Sequence, residues 1–178
     1  MFAGHLSRGL TLVEVIIGLA VFALAALALV STLFATSRVN EANRERTLVE
    51  NAARAVLETM RNEEFAEIFA RYNADTADDP EGAGSAAGPN FAVAGLQAIE
   101  GDPDGLPGRI DFPTVGNDLR EDFDDPQLQM PRDLNGDGTI DAVNHATDYR
   151  LLPVTAVVEW RSIGGTTRST FRTVFVPK

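Results

Sequence analysis

The sequence predicts an α+β fold in which one long N-terminal helix packs on a small antiparallel sheet of about four strands. Two observations predict the helix. The run from Val15 to Phe34 contains no charged residue, and no proline interrupts the chain between Leu10 and Asp79. A third observation predicts the sheet, because β-branched residues alternate along the C-terminal segment 154–176. The length allows one domain of moderate size plus an anchor.

The uncharged run is long enough to cross a membrane. Its roughly 20 residues, at ~1.5 Å rise each, match a hydrocarbon core of ~30 Å. Glu14 lies directly before the run. A charge deep in a bilayer costs about 2.5 to 3.5 kcal/mol on insertion scales, so the presence of a glutamate at this position needs an explanation. Arg8 favours a cytoplasmic start, but arginines at positions 38, 44 and 46 follow the other end. Charge alone does not fix the orientation.

Beyond Ser37 the pattern becomes amphipathic. Apolar residues recur at spacings of three and four: Val49, Ala52, Ala53, Val56, Leu57, Met60, Phe65, Ile68, Phe69 and Tyr72. We interpret this stripe as the core side of a helix that lies on a sheet. A coiled-coil stalk is the alternative, although the repeat is short for a heptad pattern. The sequence therefore predicts a continuous helix from Leu10 to about Tyr72.

Two hairpins are predicted for the sheet. Segments 154–161 and 166–176 flank a turn at Gly164-Gly165, and segments 91–99 and 109–112 flank a stretch rich in Gly, Pro and Asp. Segment 73–89 has the composition of a loop. Prolines limit regular structure between Pro113 and Arg132, so we expect that segment to be irregular.

The middle of the chain is strongly acidic. Between Asn73 and Asp148 it has fourteen Asp and three Glu against three Arg, and the whole chain has a formal net charge of −11. Such a surface repels phosphate backbones and suits divalent cations, so nucleic acid is not an expected partner. The absence of cysteine excludes disulfides and thiolate chemistry. No spacing of His, Ser and carboxylates marks a catalytic site, and we do not expect an enzyme.

Segment 133–141 is similar to the first nine positions of an EF-hand-type calcium loop. The expected ligands are side-chain oxygens or carbonyls of Asp133, Asn135, Asp137, Thr139, Asp141 and, at the twelfth position, Asn144. Ile140 fits the apolar position of such loops. Because Asn144 replaces the usual bidentate glutamate, we expect weak, structural calcium binding, on the order of 10⁻⁴ to 10⁻³ M. The alternative is an acidic turn without a metal, and Asp148 is a further possible ligand.

The order Arg8-Gly9, Leu10-Thr11-Leu12-Val13-Glu14 and an uninterrupted apolar helix resembles the signal of type IV pilins and pseudopilins. Phenylalanine is commoner than leucine at the position of Leu10. The resemblance implies that an inner-membrane prepilin peptidase cleaves between Gly9 and Leu10 and methylates the new amine of Leu10. It also implies that Glu14 acts in assembly. The C-terminal hairpin resembles the end of minor pilins and pseudopilins, some of which hold calcium beside the sheet.

Charge pairing gives Glu14 a physical role. Cleavage would create an amine at Leu10, and in a bundle of such helices Glu14 of one subunit could neutralise that amine on a neighbour. The carboxylate would also lie at the positive end of the helix dipole. The alternative is a glutamate that reaches from the membrane edge to the headgroups, as in an ordinary signal anchor.

The resemblance implies a division into a leader (1–9), a transmembrane and assembly half of the helix (10–35), an amphipathic half (36–72) and a globular head (73–178). It implies a single-pass bacterial inner-membrane protein with a cytoplasmic N-terminus, later part of a filament. The expected function is that of a minor structural subunit of a type IV pilus or a type II secretion pseudopilus. The alternative is a signal-anchored calcium-binding or adhesion domain that does not polymerise.

Overall fold

The computed structural model describes residues 11–178, in which the chain forms two compact units that meet between Asn43 and Arg44. The first unit is helical. The second contains the last part of the same helix together with all the strands. Each unit is described by itself.

Helix α1 spans Leu12–Asn62 and confirms the predicted long N-terminal helix. Within the second unit its buried residues are Glu45, Val49, Ala53 and Met60, which share one face because their spacings are multiples of about one helical turn. Val49 packs with Val158 and Trp160 of the sheet, and Met60 joins the larger core cluster. The amphipathic stripe is therefore the core side of a helix on a sheet, as predicted.

The predicted continuation of this helix to Tyr72 is wrong, because α1 ends at Asn62. Glu64 is extended (φ −64°, ψ 124°), and a 3₁₀ turn, Phe65–Glu67, leads into the short helix α2, Ile68–Tyr72. The hydroxyl of Tyr149 donates to the Phe65 carbonyl at 2.6 Å and accepts from the Phe69 N–H at 3.3 Å. A continuous helix would bond these two backbone groups to each other, so a side chain inserted between them favours the break.

Four antiparallel strands form the main sheet in the order β1-β2-β5-β6. They are β1 (Asn90–Phe91), β2 (Gly108–Asp111), β5 (Leu152–Ser162) and β6 (Gly165–Phe175). The register places Arg109 beside Val157 and Thr155 beside Arg172. The pairing of β5 with β6 confirms the C-terminal hairpin, with its turn at Ile163-Gly164. The predicted strand 91–99 is wrong beyond Phe91, although Asn90 and Phe91 pair with β2. Gly165 opens β6 at φ +118°, a conformation that favours glycine.

The segment predicted to be irregular contains a second, two-stranded sheet. Strands β3 (Thr114–Val115) and β4 (Asp118–Leu119) form a short hairpin, and a 3₁₀ turn follows at Pro126–Leu128. The Asp125 side chain caps this turn by accepting from the Gln127 N–H at 2.9 Å. Strands of two residues are too short to produce a readable alternation in the sequence.

The two faces of the main sheet differ. The inner face, which packs against α1, presents Val154, Ala156, Val158 and Trp160, all buried. The outer face presents the alternating residues of β5 and their neighbours on β2 and β6. The acidic segment 133–148 follows the small sheet in the chain. Its Leu134, and Tyr149 directly after it, belong to the main core cluster.

Candidate functional site

The N-terminal signal is described from Thr11 onward, so the predicted cleavage residues Gly9 and Leu10 lie outside the described residues. Thr11 caps α1. Its hydroxyl accepts from the Glu14 N–H at 3.3 Å, while the Glu14 carboxylate accepts from the Thr11 N–H at 2.8 Å and from its hydroxyl at 2.9 Å. This reciprocal arrangement is a capping box, which satisfies backbone donors at the start of a helix.

The capping box gives Glu14 a local role that our sequence analysis missed. The signal was present, because Thr-x-x-Glu directly before an apolar run is the sequence pattern of a capping box. A carboxylate at this place also faces the positive end of the helix dipole. Glu14 therefore has a reason to head the helix even before any second chain is considered.

The apolar part of α1 is exposed along its whole length in the first unit. Leu19, Phe22 and Leu27, for example, are 62%, 72% and 65% exposed. Among the described residues this is the single helix with the length and composition to cross a membrane. Such a surface fits contact with lipid or with other apolar helices.

The acidic loop is held by its own hydrogen bonds. The Asp133 carboxylate accepts from the N–H groups of Gly136 and Gly138, at 2.5 and 2.8 Å. The backbone bond from Gly138 chiefly lowers the pKa of Asp133. Asn135 and Asp137 each accept from the N–H two residues later. Side chains therefore hold the turns of segment 133–139 by accepting from backbone N–H groups a few residues later.

Two residues of this loop, Asn144 and Ile140, do not have the roles that a calcium loop requires of them. The Asn144 amide oxygen accepts from the N–H groups of Leu119 and Ala146, at 3.1 and 3.0 Å, which uses both of its lone pairs. Asn144 thus fastens the loop to β4 and has no free oxygen for a cation. Ile140 is 50% exposed and does not anchor the loop in the core. Asp148 does reach the loop, because its Oδ2 lies 3.1 Å from Nδ2 of Asn135.

Glu121 is the central residue that sequence reasoning missed. It lies outside segment 133–148 and is only 1% exposed. Its Oε1 accepts from the N–H groups of Leu134 and Asn135 at 2.6 and 3.2 Å, and its Oε2 accepts from the Asp141 N–H at 3.3 Å. One buried carboxylate therefore ties the two ends of the acidic loop together. Only the folded arrangement brings it there.

His145 is a basic residue that lies among the carboxylates of Glu121, Asp141 and Asp148. Its Nδ1 lies 3.0 Å from Asp148 and its Nε2 lies 3.2 Å from Asp141 and 3.7 Å from Glu121. Burial lowers the pKa of His145, but the hydrogen bonds to Asp141 and Asp148 and the charge of Glu121 outweigh burial and raise it overall. When His145 is protonated, its imidazolium neutralises part of the charge of the acidic loop.

A metal ion is the other way to neutralise these charges. One ligand atom each of Glu121, Asp141 and His145 lie within 4.8 Å of one another, so this group could hold a metal ion. Calcium prefers oxygen ligands, so a group that includes the His145 imidazole matches it less well. Lone pairs on these carboxylates remain available beside their backbone hydrogen bonds.

The comparisons with known proteins place the N-terminus in a defined class. The family model of the prokaryotic N-terminal methylation motif matches residues 5–30. No curated protein and no solved structure matches the chain. The match includes Gly9, Leu10, Glu14 and the exposed apolar part of α1 as far as residue 30, and it leaves the sheet unmatched. The chain therefore carries the N-terminal methylation motif, which is the signal of type IV pilins and pseudopilins.

Proposed function

We propose that this protein is a structural subunit, a minor pilin or minor pseudopilin, that assembles into a type IV pilus or a type II secretion pseudopilus. The observation that carries the proposal is the methylation motif at the head of an exposed apolar helix. A filament core built from such helices would cover the apolar surface that the single chain leaves open.

Processing would proceed at the membrane. We infer that prepilin peptidase removes residues 1–9 and methylates Leu10, and that residues 10–35 hold the subunit in the inner membrane before assembly. The N-terminus would be cytoplasmic and the head extracytoplasmic. The partners would be the peptidase and other pilin or pseudopilin subunits.

Glu14 would have two successive roles. In the single chain its carboxylate completes the capping box with Thr11. In a filament we expect it to face the methylated amine of Leu10 on a neighbouring subunit, because both charges would otherwise be desolvated without a partner.

We also propose that the acidic loop binds calcium weakly, as a structural ion. The proposed ligands are the side-chain oxygens of Asp133, Asn135, Asp137 and Asp141 with the Thr139 carbonyl, and Asp148 takes the place that the sequence analysis gave to Asn144. The position of the Asp148 carboxylate beside Asn135 supports the assignment of Asp148 as a ligand. The bound ion would reduce the repulsion among these carboxylates and stiffen the loop.

Co-expression with an active prepilin peptidase tests the main proposal. Intact mass should show a chain that begins at Leu10 and carries one additional methyl group. Gly9→Val should retain the leader, whereas the control Gly18→Ala, at a position where an added Cβ meets nothing within 4 Å, should be processed normally. A leader retained by the unaltered chain despite an active peptidase would leave the signal-anchored, non-polymerising domain as the better explanation.

A further inference from the structure

A cleft of about 380 Å³ opens on the outer face of the main sheet. Its floor includes Thr155 and Val157 of β5, and its walls come from β2, β6 and the loops around Asp75, Asn117 and Phe123. The volume lies within the ~300 to 1,000 Å³ that small-ligand sites occupy in proteins. Neither the N-terminal signal nor the acidic loop contributes to it.

Thr155 provides a polar group that lacks a partner in this cleft. The residue is 7% exposed, and within residues 11–178 its Oγ1 is the one buried side-chain polar atom without a hydrogen bond. Buried hydroxyl groups are nearly always hydrogen-bonded, so one that no protein group pairs, in a residue that lines a cleft, suits a hydrogen bond to a ligand. Thr170 lines the cleft from the neighbouring strand β6, diagonal to Thr155.

The charges around the cleft balance. Three arginines and three aspartates line it: Arg109, Arg168, Arg172, Asp75, Asp111 and Asp125. Arg109 is bound to Asp111 through two contacts of 2.6 and 3.0 Å, and Arg168 lies 3.3 Å from Glu159. Arg172 is exposed and makes no ion pair within the described part of the chain. A charged ligand in the cleft would be attracted by the side chains of opposite charge and repelled by those of like charge, so the cleft does not favour an ion.

Apart from its balanced charges, the cleft offers many hydrogen-bonding groups around a partly apolar floor. Arginine side chains donate, aspartates accept, and threonine and asparagine do both. Phe123, half-buried at the wall, and Val157, buried at the floor, supply apolar surface. A ligand with several hydroxyl groups and apolar C–H faces matches both kinds of surface. Its hydroxyls can donate to the aspartates, accept from Arg172 and pair with Thr155.

We propose that this cleft binds an uncharged saccharide. Thr155 and Arg172, which lie directly opposite each other on β5 and β6, form its polar centre. The proposal is separate from filament assembly, because it concerns the outer face of the sheet and not α1. It would give the head a ligand-binding role whether or not the protein polymerises.

Saturation-transfer NMR on the full chain in detergent micelles tests this proposal. The probes are glucose, galactose and N-acetylglucosamine, with glucosamine as a cationic and glucuronate as an anionic comparison. We expect transfer to at least one neutral sugar, and we expect Thr155→Val and Arg172→Gln each to weaken its binding about fivefold or more, as the loss of one hydrogen bond predicts. Thr167→Val and Arg150→Gln, outside the cleft, should bind as the unaltered chain does.

Several results would overturn the proposal. These are absence of transfer to all three neutral sugars, transfer to a charged probe alone, and binding by both Thr155→Val and Arg172→Gln that is as strong as binding by the unaltered chain. The fluorescence of Trp160 reports whether each variant is folded. Because Arg172 is exposed, Arg172→Gln keeps the test decisive even if Thr155→Val disturbs the sheet.

Discussion

The indole Nε1 of Trp160 donates a hydrogen bond to the Glu45 carboxylate at 3.0 Å, across 115 residues of sequence. Both side chains are buried, with 3% and 7% exposure. The bond joins α1 to the inner face of β5, within the second unit. It satisfies two polar groups that would otherwise lie unpaired in the interface.

Removal of this bond should destabilise the head. Glu45→Ala leaves the buried indole N–H without an acceptor and should lower the free energy of unfolding by about 1 to 3 kcal/mol. Urea unfolding of the full chain in mild detergent, followed by the fluorescence of Trp160, measures it, since the chain has one tryptophan. Glu45→Gln keeps an acceptor and should lose less.

Glu50→Ala is the matched control on the same helix. Glu50 is exposed and makes only a 3.8 Å contact with Arg46, so its removal should change the stability by less than about 0.5 kcal/mol. If Glu45→Ala and Glu50→Ala unfold at the same urea concentration, the bond between Glu45 and Trp160 contributes nothing to the packing of α1.

Glu14→Gln separates the two roles of the carboxylate. A capping box accepts glutamine at this position, so the helix start should be preserved. The negative charge is lost, and the pairing with the Leu10 amine of another subunit would be lost with it. We expect normal cleavage at Gly9 by intact mass and no variant in the sheared filament fraction by immunoblot.

Incorporation of Glu14→Gln at the unaltered level would contradict charge pairing and leave the capping box as the whole reason for Glu14. Thr11→Ala is the complementary variant. It removes the hydroxyl that binds Glu14 but retains the charge, so it should still be found in filaments.

Glu121 should be the residue on which the acidic loop most depends. Glu121→Ala removes the acceptor of three backbone N–H groups, and we expect a loss of about 3 kcal/mol or more in the free energy of unfolding. The neighbouring Asp122→Ala breaks an exposed ion pair with Arg120 and should cost less than about 1 kcal/mol. Equal losses, measured by urea unfolding, would contradict the anchoring role of Glu121.

The elements that the sequence predicts well are those with long repeating patterns. The uncharged run of α1 and the alternation in β5 and β6 each extend over many residues, and the structure has both. The end of α1 was not readable, because the Tyr149 hydroxyl that separates Phe65 from Phe69 comes from a distant segment. Sequence patterns describe local preference, whereas a tertiary contact, the insertion of the Tyr149 hydroxyl, favours this break.

The acidic loop shows the same limit. Positions 133–141 predict the turns correctly, because Asp and Asn side chains bind N–H groups only a few residues away. Glu121 and Asp148 could not be assigned from spacing, since their places depend on β4 and Tyr149. Glu45, in contrast, was readable: it lies four residues before Val49 on the buried stripe, where a charged residue needs a buried partner.

Calcium should raise the melting temperature of the full chain if the loop binds it. With a dissociation constant on the order of 10⁻⁴ to 10⁻³ M, calcium at about ten times that value adds roughly 1.4 kcal/mol. Asp137→Ala should abolish the shift, and Asn144→Ala should retain it because the Asn144 oxygen is already occupied. Magnesium chloride at equal ionic strength is the control. Absence of a shift, or an equal shift after Asp137→Ala, would remove the proposed site.

The Tyr149 hydroxyl should make the stability of the head depend on alkaline pH. The pKa of Tyr149 is raised from 10.0 to about 12, chiefly by burial. The hydrogen bond from the Phe69 N–H lowers this pKa, and the charge of Glu67 raises it further. Because the folded pKa exceeds the unfolded one, the contribution of this group to stability is complete below pH 10 and is lost as the pH rises towards 12.

Tyr72→Phe isolates this titration, since the chain has two tyrosines. In that variant the ultraviolet absorbance of tyrosinate should appear near pH 12 in the folded chain and near pH 10 in urea. At neutral pH, Tyr149→Phe should have a free energy of unfolding about 1 to 2 kcal/mol lower than the unaltered chain, because two hydrogen bonds are lost. Between pH 10 and pH 12 its stability should change less than that of the unaltered chain. Ionisation of Tyr149 near pH 10 in the folded chain would show that water reaches the hydroxyl. The break between α1 and α2 would then need another cause than its insertion between Phe65 and Phe69.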